Sequence, residues 1–265
     1  MAILYWTNEE TAWLYNGDAR DMAELADESV GLVVTSPPYW DLKNYGHNGQ
    51  MGLGQSYEEY LQELGKVLRE CERVLQPGRH FGLVIGTRIS DGDLKHIPAE
   101  AIRLQADLGM TLKKEIIWVK PKGTQGLWQR GTTQFLKDKP HPLCFNLNIQ
   151  HEYVLIFQKA GVPPDFSDIV LPEDFIKQVS WSVWELGVSQ QKGHPAPFPE
   201  ELVSRLLKLY SVPGETVLDP FIGSGTTAKV CLELGRKTVG YEISEEFCKM
   251  SVGRLHEPTV AIPGI

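Results

Sequence analysis

Cysteine is scarce in this 265-residue chain, and its four cysteines lie far apart in the sequence. No C-x-x-C pair occurs, which argues against both a disulfide framework and a zinc site. We therefore predict buried free thiols and no bound metal. The cysteines are Cys71, Cys144, Cys231 and Cys248.

Long apolar runs and a leader-like start are absent as well. No stretch approaches the roughly 18 uninterrupted apolar residues that a membrane span needs. The first residues place no basic segment ahead of an apolar run, so they do not resemble a secretion signal. Apolar residues make up 42% and charged residues 23% of the chain, as in an ordinary globular protein. We expect a single domain over residues 1–265, located in the cytoplasm and without a membrane partner.

The chain also lacks an excess of positive charge. Its formal net charge of −8 is unfavourable for a protein that binds nucleic acid through phosphates, because that attraction needs lysine and arginine. Residues 113–141 are a local exception, with seven basic and two acidic side chains. This segment is either a nucleic-acid contact or a solvated loop whose lysines serve solubility.

Short apolar runs rich in β-branched residues alternate with segments of helical period, a pattern typical of a mostly parallel sheet covered by helices. The predicted strands are 12–15, 30–35, 81–86, 111–119, 153–158, 216–218 and 238–241. The predicted helices include 57–75, 199–209 and 226–234. Irregular segments at 121–150 and 161–193 interrupt the alternation, and loops of such length inside a compact domain are more often functional than accidental.

A glycine turn follows the strand at 216–218. Gly223 and Gly225 allow a ligand to approach the backbone closely, although a Gly-x-Gly alone also fits a plain strand-to-helix turn. The Gly-Lys-[Ser/Thr] ending of a phosphate loop is missing. Glu242 ends the next strand about 20 residues later, where a carboxylate can accept hydrogen bonds from both hydroxyls of a ribose. Asp219 suits an ammonium group better than a diphosphate, so the set points to S-adenosylmethionine.

A second turn, Thr-Ser-Pro-Pro-Tyr-Trp at 35–40, follows the strand at 30–35. The two prolines fix the directions of the Ser36 and Pro37 carbonyls. Ser36 adds a short polar side chain, and Tyr39 adds a flat surface for a planar group. The alternative is a rigid turn whose aromatic rings pack into the core.

Ser36-Pro37-Pro38-Tyr39 resembles the catalytic tetrapeptide of the amino-group DNA methyltransferases, and residues 219–226 resemble their S-adenosylmethionine loop. The catalytic motif comes first, which is the order of the family's β class. Three further matches lie elsewhere in the chain. They are the Asn16-Gly17-Asp18 turn followed by a helix, the strand opening His151-Glu152-Tyr153, and residues 194–199 before a helix.

The resemblance implies a Rossmann-like methyltransferase sheet with one antiparallel strand pair, helices on both faces, and DNA-recognition loops inserted at 41–55, 121–150 and 161–193. It implies that the target base leaves the duplex. Ser36 and the Pro37 carbonyl would then accept hydrogen bonds from its amine, and Tyr39 would stack on its ring. The implied catalytic residues are Ser36, Pro37, Pro38 and Tyr39.

The cofactor and DNA contacts implied by the resemblance are more dispersed. The expected cofactor-binding residues are Asp18, His194, Pro197, Phe198, Asp219, Phe221, Gly223, Gly225, Thr226 and Glu242. The expected DNA contacts are Lys43, Lys120, Lys122, Trp128, Arg130, Lys137 and Lys139. The expected partners are double-stranded DNA and, as a candidate, a cognate restriction endonuclease in a bacterial, archaeal or phage host.

The first residue of the tetrapeptide bears on the target base. In this family serine is usual there for N4-cytosine enzymes and aspartate for N6-adenine enzymes, so Ser36 favours cytosine. Two alternatives stay open: adenine-N6 methylation, and a binding module that no longer transfers methyl groups. The intact residues 36–39 with Gly223, Gly225 and Glu242 count against the binding module.

Overall fold

The computed structural model describes residues 2–8, 10–47, 49–90, 93–121, 149–188 and 198–256. The strands are β1 Ile3–Thr7, β2 Ala12–Asn16, β3 Val30–Thr35, β4 Leu75–Ile85, β5 Arg88–Ser90, β6 Asp93–Lys95, β7 Thr111–Val119, β8 His151–Gln158, β9 Val183–Glu185, β10 Thr216–Asp219 and β11 Lys237–Glu242. The helices are α1 Tyr57–Val74, α2 Ile97–Asp107, α3 Glu173–Val179, α4 Glu200–Tyr210, α5 Thr226–Glu233 and α6 Glu245–Leu255.

Nine strands form one sheet in the order β1-β2-β11-β10-β3-β4-β8-β7-β9. The five central strands from β2 to β4 are parallel. β8 runs antiparallel to both of its neighbours, β4 and β7. The prediction of a mostly parallel sheet with an antiparallel pair is confirmed by β7 and β8, and β4–β8 and β1–β2 add further antiparallel pairings.

The chain leaves β3 and β10 in opposite directions across the sheet. From β3 it passes through α1 to β4, and from β10 it passes through α5 to β11 on the other side. β3 and β10 are themselves neighbours, with Val217 beside Leu32 and Leu218 beside Val33. The carboxyl ends of two such strands border a crevice, which is where open α/β sheets bind their ligands.

Two apolar cores cover the two faces of the sheet. Val33 belongs to the core beneath α1 and α2, which also holds Tyr60 and Leu68. Leu32 and Val34 point to the other core, beneath α4 and α5. This alternation along one fully buried strand follows from the period of two in a β-strand. Helices therefore cover both faces, as predicted.

Helix α1 shows how closely local signals set an element. Ser56 caps its first turn by accepting from the Glu59 amide at 3.2 Å, and the Glu59 carboxylate accepts from the Ser56 amide at 2.8 Å. This reciprocal pair satisfies amides that a helix start leaves unpaired. The helix ends one residue before the predicted end, and β4 begins at once with Leu75.

The prediction of a helix after Asp18 is wrong, since residues 19–29 form a series of turns. Side chains of α1 hold this segment in place. Arg73 donates to the carbonyls of Met22 and Leu25 at 3.0 and 2.9 Å, and Glu70 accepts from the Met22 amide at 3.0 Å. Backbone groups that bond to a neighbouring helix are not available for a helix of their own.

Three of the four cysteines fall within the described ranges. Cys71, Cys231 and Cys248 are buried and free of disulfide bonds, in agreement with the sequence. Within the same ranges, no helix combines the length and the apolar character needed to cross a membrane.

Candidate active site

The two turns singled out by the sequence meet at the crevice between β3 and β10. Thr35 ends β3 and donates its hydroxyl to the Asp219 carboxylate at the end of β10, over 2.7 Å. Ser36 follows directly on one side, and the glycine turn follows on the other. One buried hydrogen bond thus fixes the distance between the two candidate motifs.

Asp219 is only 1% exposed, and the protein itself supplies its partners. One oxygen accepts from Thr35 and from the Phe221 amide at 3.0 Å, and the other accepts from the Thr227 hydroxyl at 2.6 Å. Burial raises the pKa of Asp219 to about 6, against the lowering effect of these bonds. These bonds make Asp219 a brace beneath the glycine turn, and its predicted contact with the cofactor stays a prediction.

Glu242 anchors the glycine turn from the end of β11. Its carboxylate accepts from the Gly223 amide at 3.0 Å and from the Ser244 amide at 2.8 Å. Burial raises the pKa of Glu242 to about 7. Each carboxylate oxygen can accept more than one hydrogen bond, so the side chain still has capacity for ligand hydroxyls.

Gly225 begins α5 in a conformation that favours glycine. Its φ is +83°, and a Cβ built there would lie 2.8 Å from the Ser251 hydroxyl oxygen. No side chain caps this helix start, and a helix start leaves its first amides without partners inside the helix. A carboxylate with spare acceptor capacity at Glu242 beside a glycine turn fits the predicted S-adenosylmethionine site.

The second turn carries a chain of polar contacts. Ser36 Oγ lies 3.1 Å from the Tyr39 hydroxyl, and Tyr39 donates to Glu152 Oε2 at 3.0 Å. The other Glu152 oxygen accepts from the Lys120 ammonium. Gly86 makes room for this arrangement, because a Cβ there would lie 3.0 Å from the Tyr39 ring.

The backbone of the turn is held from below. Tyr60, buried in α1, donates its hydroxyl to the Pro38 carbonyl at 2.8 Å. The Tyr39 carbonyl accepts from the Leu42 amide at 3.2 Å. With φ fixed at both prolines, these bonds leave the turn little freedom, so its side chains are presented in set directions.

Glu152 and the role of Lys120 were missed by reasoning from the sequence. Glu152 is 7% exposed at the start of β8, and the available signal was the only carboxylate in a strand whose centre is apolar. The Lys120 ammonium contacts Glu152 and lies 4.8 Å from the centre of the Trp118 ring, and its predicted contact with DNA stays a prediction. A buried carboxylate without a partner is strongly destabilising, so Lys120 compensates the charge of Glu152.

Other predicted cofactor residues have mixed placements. Asp18 lies next to the end of β11 but bonds to Arg20, whose guanidinium also pairs with Glu63. Burial favours a higher pKa for Asp18, yet the Arg20 hydrogen bonds outweigh it and the pKa is lowered. Phe198 is 8% exposed and packs in the core beneath α4.

The remaining predicted residues divide by position. Phe221 is half-buried and packs beside the glycine turn, Thr226 is buried and accepts from Arg254 at 2.9 Å, and Lys43 is half-buried in the loop after the catalytic turn. Outside the described residues lie Lys122, Trp128, Arg130, Lys137, Lys139, His194 and Pro197.

Comparisons with known proteins agree with this geometry. Residues 30–253 match the family model for DNA methylase of the N6/N4 type. Type II methyltransferase M.MjaI of Methanocaldococcus jannaschii is 34% identical over 273 residues, covering 86% of each chain. DNA adenine methyltransferase YhdJ of Escherichia coli K12 is 30% identical, over 93% of this chain and 83% of its own. The Thermus thermophilus protein TTHA0409, solved with S-adenosyl-L-methionine, superposes with a TM-score of 0.72 at 28% identity, over 93% of each chain.

Proposed function

The chain belongs to the DNA methylase family as an S-adenosylmethionine-dependent DNA amino-methyltransferase, and we propose that its target atom is N4 of cytosine in double-stranded DNA. The observation that carries the choice of base is Ser36. It stands at the carboxyl end of β3, where family members that act on adenine N6 usually carry aspartate. We further propose that residues 1–265 form a single methyltransferase domain.

The proposed cofactor site is the glycine turn with the end of β11. Glu242 would accept hydrogen bonds from the ribose hydroxyls, and Gly223 and Gly225 would let the ligand lie against the backbone. Thr35 and Thr227 would act indirectly by holding Asp219 and hence the turn. When bound, S-adenosylmethionine supplies an electrophilic methyl group on sulfur.

The proposed base site is the turn at 36–39. The lone pair of an aromatic amine is delocalised into the ring, so the amine is a weak nucleophile. Hydrogen bonds from its two N–H groups to Ser36 Oγ and the Pro37 carbonyl would draw the nitrogen towards a pyramidal geometry. Tyr39 would hold the base by stacking. Fixed acceptors and alignment of the reacting atoms then supply most of the rate gain.

We propose that the loops at 41–55, 121–150 and 161–193 contact the DNA. Lys43 and the basic part of 113–141 supply positive charge on a chain that is otherwise acidic. The type II name of M.MjaI supports a role beside a cognate restriction endonuclease.

Adenine N6 is the second candidate target. The name of the adenine methyltransferase YhdJ, which aligns over nearly the whole chain, favours it. The same two acceptors would serve an adenine amine, so the mechanism is unchanged and the shape of the base pocket decides.

Mass spectrometry of nucleosides tests the proposal. Unmethylated DNA is incubated with the protein and S-adenosylmethionine, and N4-methylcytosine is the expected product. N6-methyladenine would transfer the assignment to adenine, and no methylated base would reject both. Ser36→Ala should lower kcat by about 100-fold or more with cofactor affinity unchanged, whereas Ser29→Ala, at an exposed serine outside the proposed DNA loops, should match the wild type.

A further inference from the structure

We infer that Glu152, held by Lys120, is a positioning residue that fixes Ser36 as a hydrogen-bond acceptor through the Tyr39 hydroxyl. The inference rests on the proposed transfer to a base amine, and it applies equally to cytosine and adenine. It assigns a function to two side chains, Glu152 and Lys120, that do not touch the base.

The argument begins with the neighbours of the Tyr39 oxygen. Glu152 Oε2 lies 3.0 Å away and the Val84 carbonyl oxygen lies 3.5 Å away. A carboxylate and a carbonyl can only accept hydrogen bonds. The single Tyr39 proton has three possible acceptors, these two and Ser36 Oγ at 3.1 Å, and it points to Glu152 because that oxygen is the nearest and the only charged one.

The direction of the hydrogen bond between Ser36 and Tyr39 follows from this. Its Oγ is 3.1 Å from the Tyr39 oxygen, and either atom could be the donor on distance alone. Because the Tyr39 proton is directed to Glu152, the Tyr39 oxygen can only accept from Ser36. The Ser36 proton is thus turned inward, and the lone pairs of Oγ face the crevice.

Burial keeps this arrangement in one protonation state. Burial, reinforced by the charge of Glu152, raises the pKa of Tyr39 well above its ordinary value, so the phenol keeps its proton. Lys120 carries three donors and no acceptor, so its contact with Glu152 Oε1 leaves Oε2 to Tyr39.

The consequence is selectivity for an amine. An Oγ that presents lone pairs attracts the N–H of an exocyclic amine and repels a carbonyl oxygen. Cytosine has an amine at the position where uracil has a carbonyl, so the orientation of one hydroxyl discriminates between them. Ser36 alone, free to rotate, would accept either base.

Glu152→Gln tests the orientation at constant shape. Lys120 can only donate, so the amide oxygen must face Lys120 and the amide NH2 must face Tyr39. The Tyr39 proton then has Ser36 as its nearer acceptor, and Ser36 loses its acceptor role toward the base. We expect kcat to fall about 100-fold, with the Kd of S-adenosylmethionine unchanged.

The decisive variant removes the Tyr39 hydroxyl, which links Glu152 to Ser36. In Tyr39→Phe the ring stays but Ser36 rotates freely, and we expect only about a 10-fold loss of kcat. The double variant, Glu152→Gln with Tyr39→Phe, has no hydroxyl at position 39 that could donate to Ser36 Oγ and remove its acceptor role. The double variant should therefore be about 10 times faster than Glu152→Gln alone, a strongly non-additive cycle. Glu58→Gln, at an exposed carboxylate on α1, is the matched control and should equal the wild type.

A second readout uses binding. DNA with uracil in place of the target cytosine should bind the wild type more weakly than unaltered DNA, and Glu152→Gln should narrow that difference. If Glu152 only supports the fold, the double variant will be no faster than Glu152→Gln. The difference in affinity between cytosine DNA and uracil DNA will then also be the same in Glu152→Gln as in the wild type. These results would overturn the inference and leave the proposed function standing. A wild type that methylates no DNA overturns the proposed function, and this inference with it.

Discussion

Thr35 and Asp219, separated by 184 positions in the sequence, share a hydrogen bond of 2.7 Å in the buried floor of the crevice. Thr35 is the last residue of β3 and Asp219 the last residue of β10. Since the proposed base site follows one strand and the proposed cofactor site the other, this bond would set how close a methyl donor and an acceptor amine can come. Near-attack geometry is sensitive to such distances.

Thr35→Val should weaken the joint between the turns. Valine has the same shape but no donor, so Asp219 keeps only Thr227 and the Phe221 amide. We expect the free energy of unfolding to fall by about 1–3 kcal/mol and kcat to fall with it, as measured by urea denaturation and single-turnover kinetics. Thr35→Ser keeps the hydroxyl and should retain most of both. Equal stability of the valine and serine variants would show that the bond contributes nothing.

Cofactor affinity should depend on pH through Glu242. Burial raises its pKa to about 7, and in the proposed cofactor site only the ionised carboxylate would accept from both ribose hydroxyls. Acidification from pH 8 to pH 6 protonates about nine-tenths of the side chain, so the Kd of S-adenosylmethionine should rise about tenfold. Isothermal titration calorimetry across this range measures it.

Acidification affects the stability of the fold in the opposite direction to cofactor binding, so the two effects can be separated. The pKa of Glu242 is higher in the folded state than in the unfolded state. Its contribution to stability is therefore fully present at pH values below the pKa of the unfolded state, and it is lost as the pH rises through about 7. Weaker binding at pH 6 therefore does not reflect unfolding at Glu242. Glu242→Gln should remove most of the pH dependence, and a Kd that still rises tenfold in this variant would locate the titration elsewhere, with Asp219 the nearest alternative.

The glycine turn offers a test with a matched pair. Gly225 and Gly235 both have positive φ, +83° and +70°, but a Cβ at 225 meets Ser251 Oγ at 2.8 Å whereas a Cβ at 235 has Pro213 Cβ at 3.7 Å as its nearest neighbour. Both alanine variants bear a backbone cost of about 1 kcal/mol. Gly225→Ala should lose about 1–3 kcal/mol more from overpacking and should bind the cofactor less tightly. Denaturation of the two variants side by side decides; equal losses would mean that α6 moves aside without cost.

The parts of this site that sequence alone predicts are the local ones. β3, the rigid turn at 36–39, the glycine turn and the acid at the end of β11 each follow from a short stretch of neighbouring residues. What the sequence could not predict depends on partners distant in the chain. Glu152 and Lys120 are 32 positions apart, and neither a charge count nor a hydrophobic period pairs them.

The incorrect prediction of a helix after Asp18 also has its cause in partners that are distant in the chain. Residues 19–29 have an acceptable local composition for a helix, but Glu70 and Arg73 on α1 bind their backbone instead. Tertiary hydrogen bonds outweigh a local preference worth less than about 1 kcal/mol per residue. Likewise, Lys120 belongs to a basic segment whose charge suggested DNA, while the fold gives it a buried carboxylate.

Tyr60 should influence catalysis although it lies beneath the active site. Its hydroxyl donates to the Pro38 carbonyl at 2.8 Å, and its ring is fully buried. Tyr60→Phe keeps the ring and leaves the carbonyl unpaired, so the free energy of unfolding should fall by about 1–2 kcal/mol. The catalytic turn gains freedom while the cofactor turn is untouched, so kcat should fall several-fold with the Kd of S-adenosylmethionine unchanged. Tyr153→Phe is the control, because its hydroxyl meets His96 in an exposed contact of 3.4 Å. If the two variants were equally active, the bond to Pro38 would have no part in holding the turn.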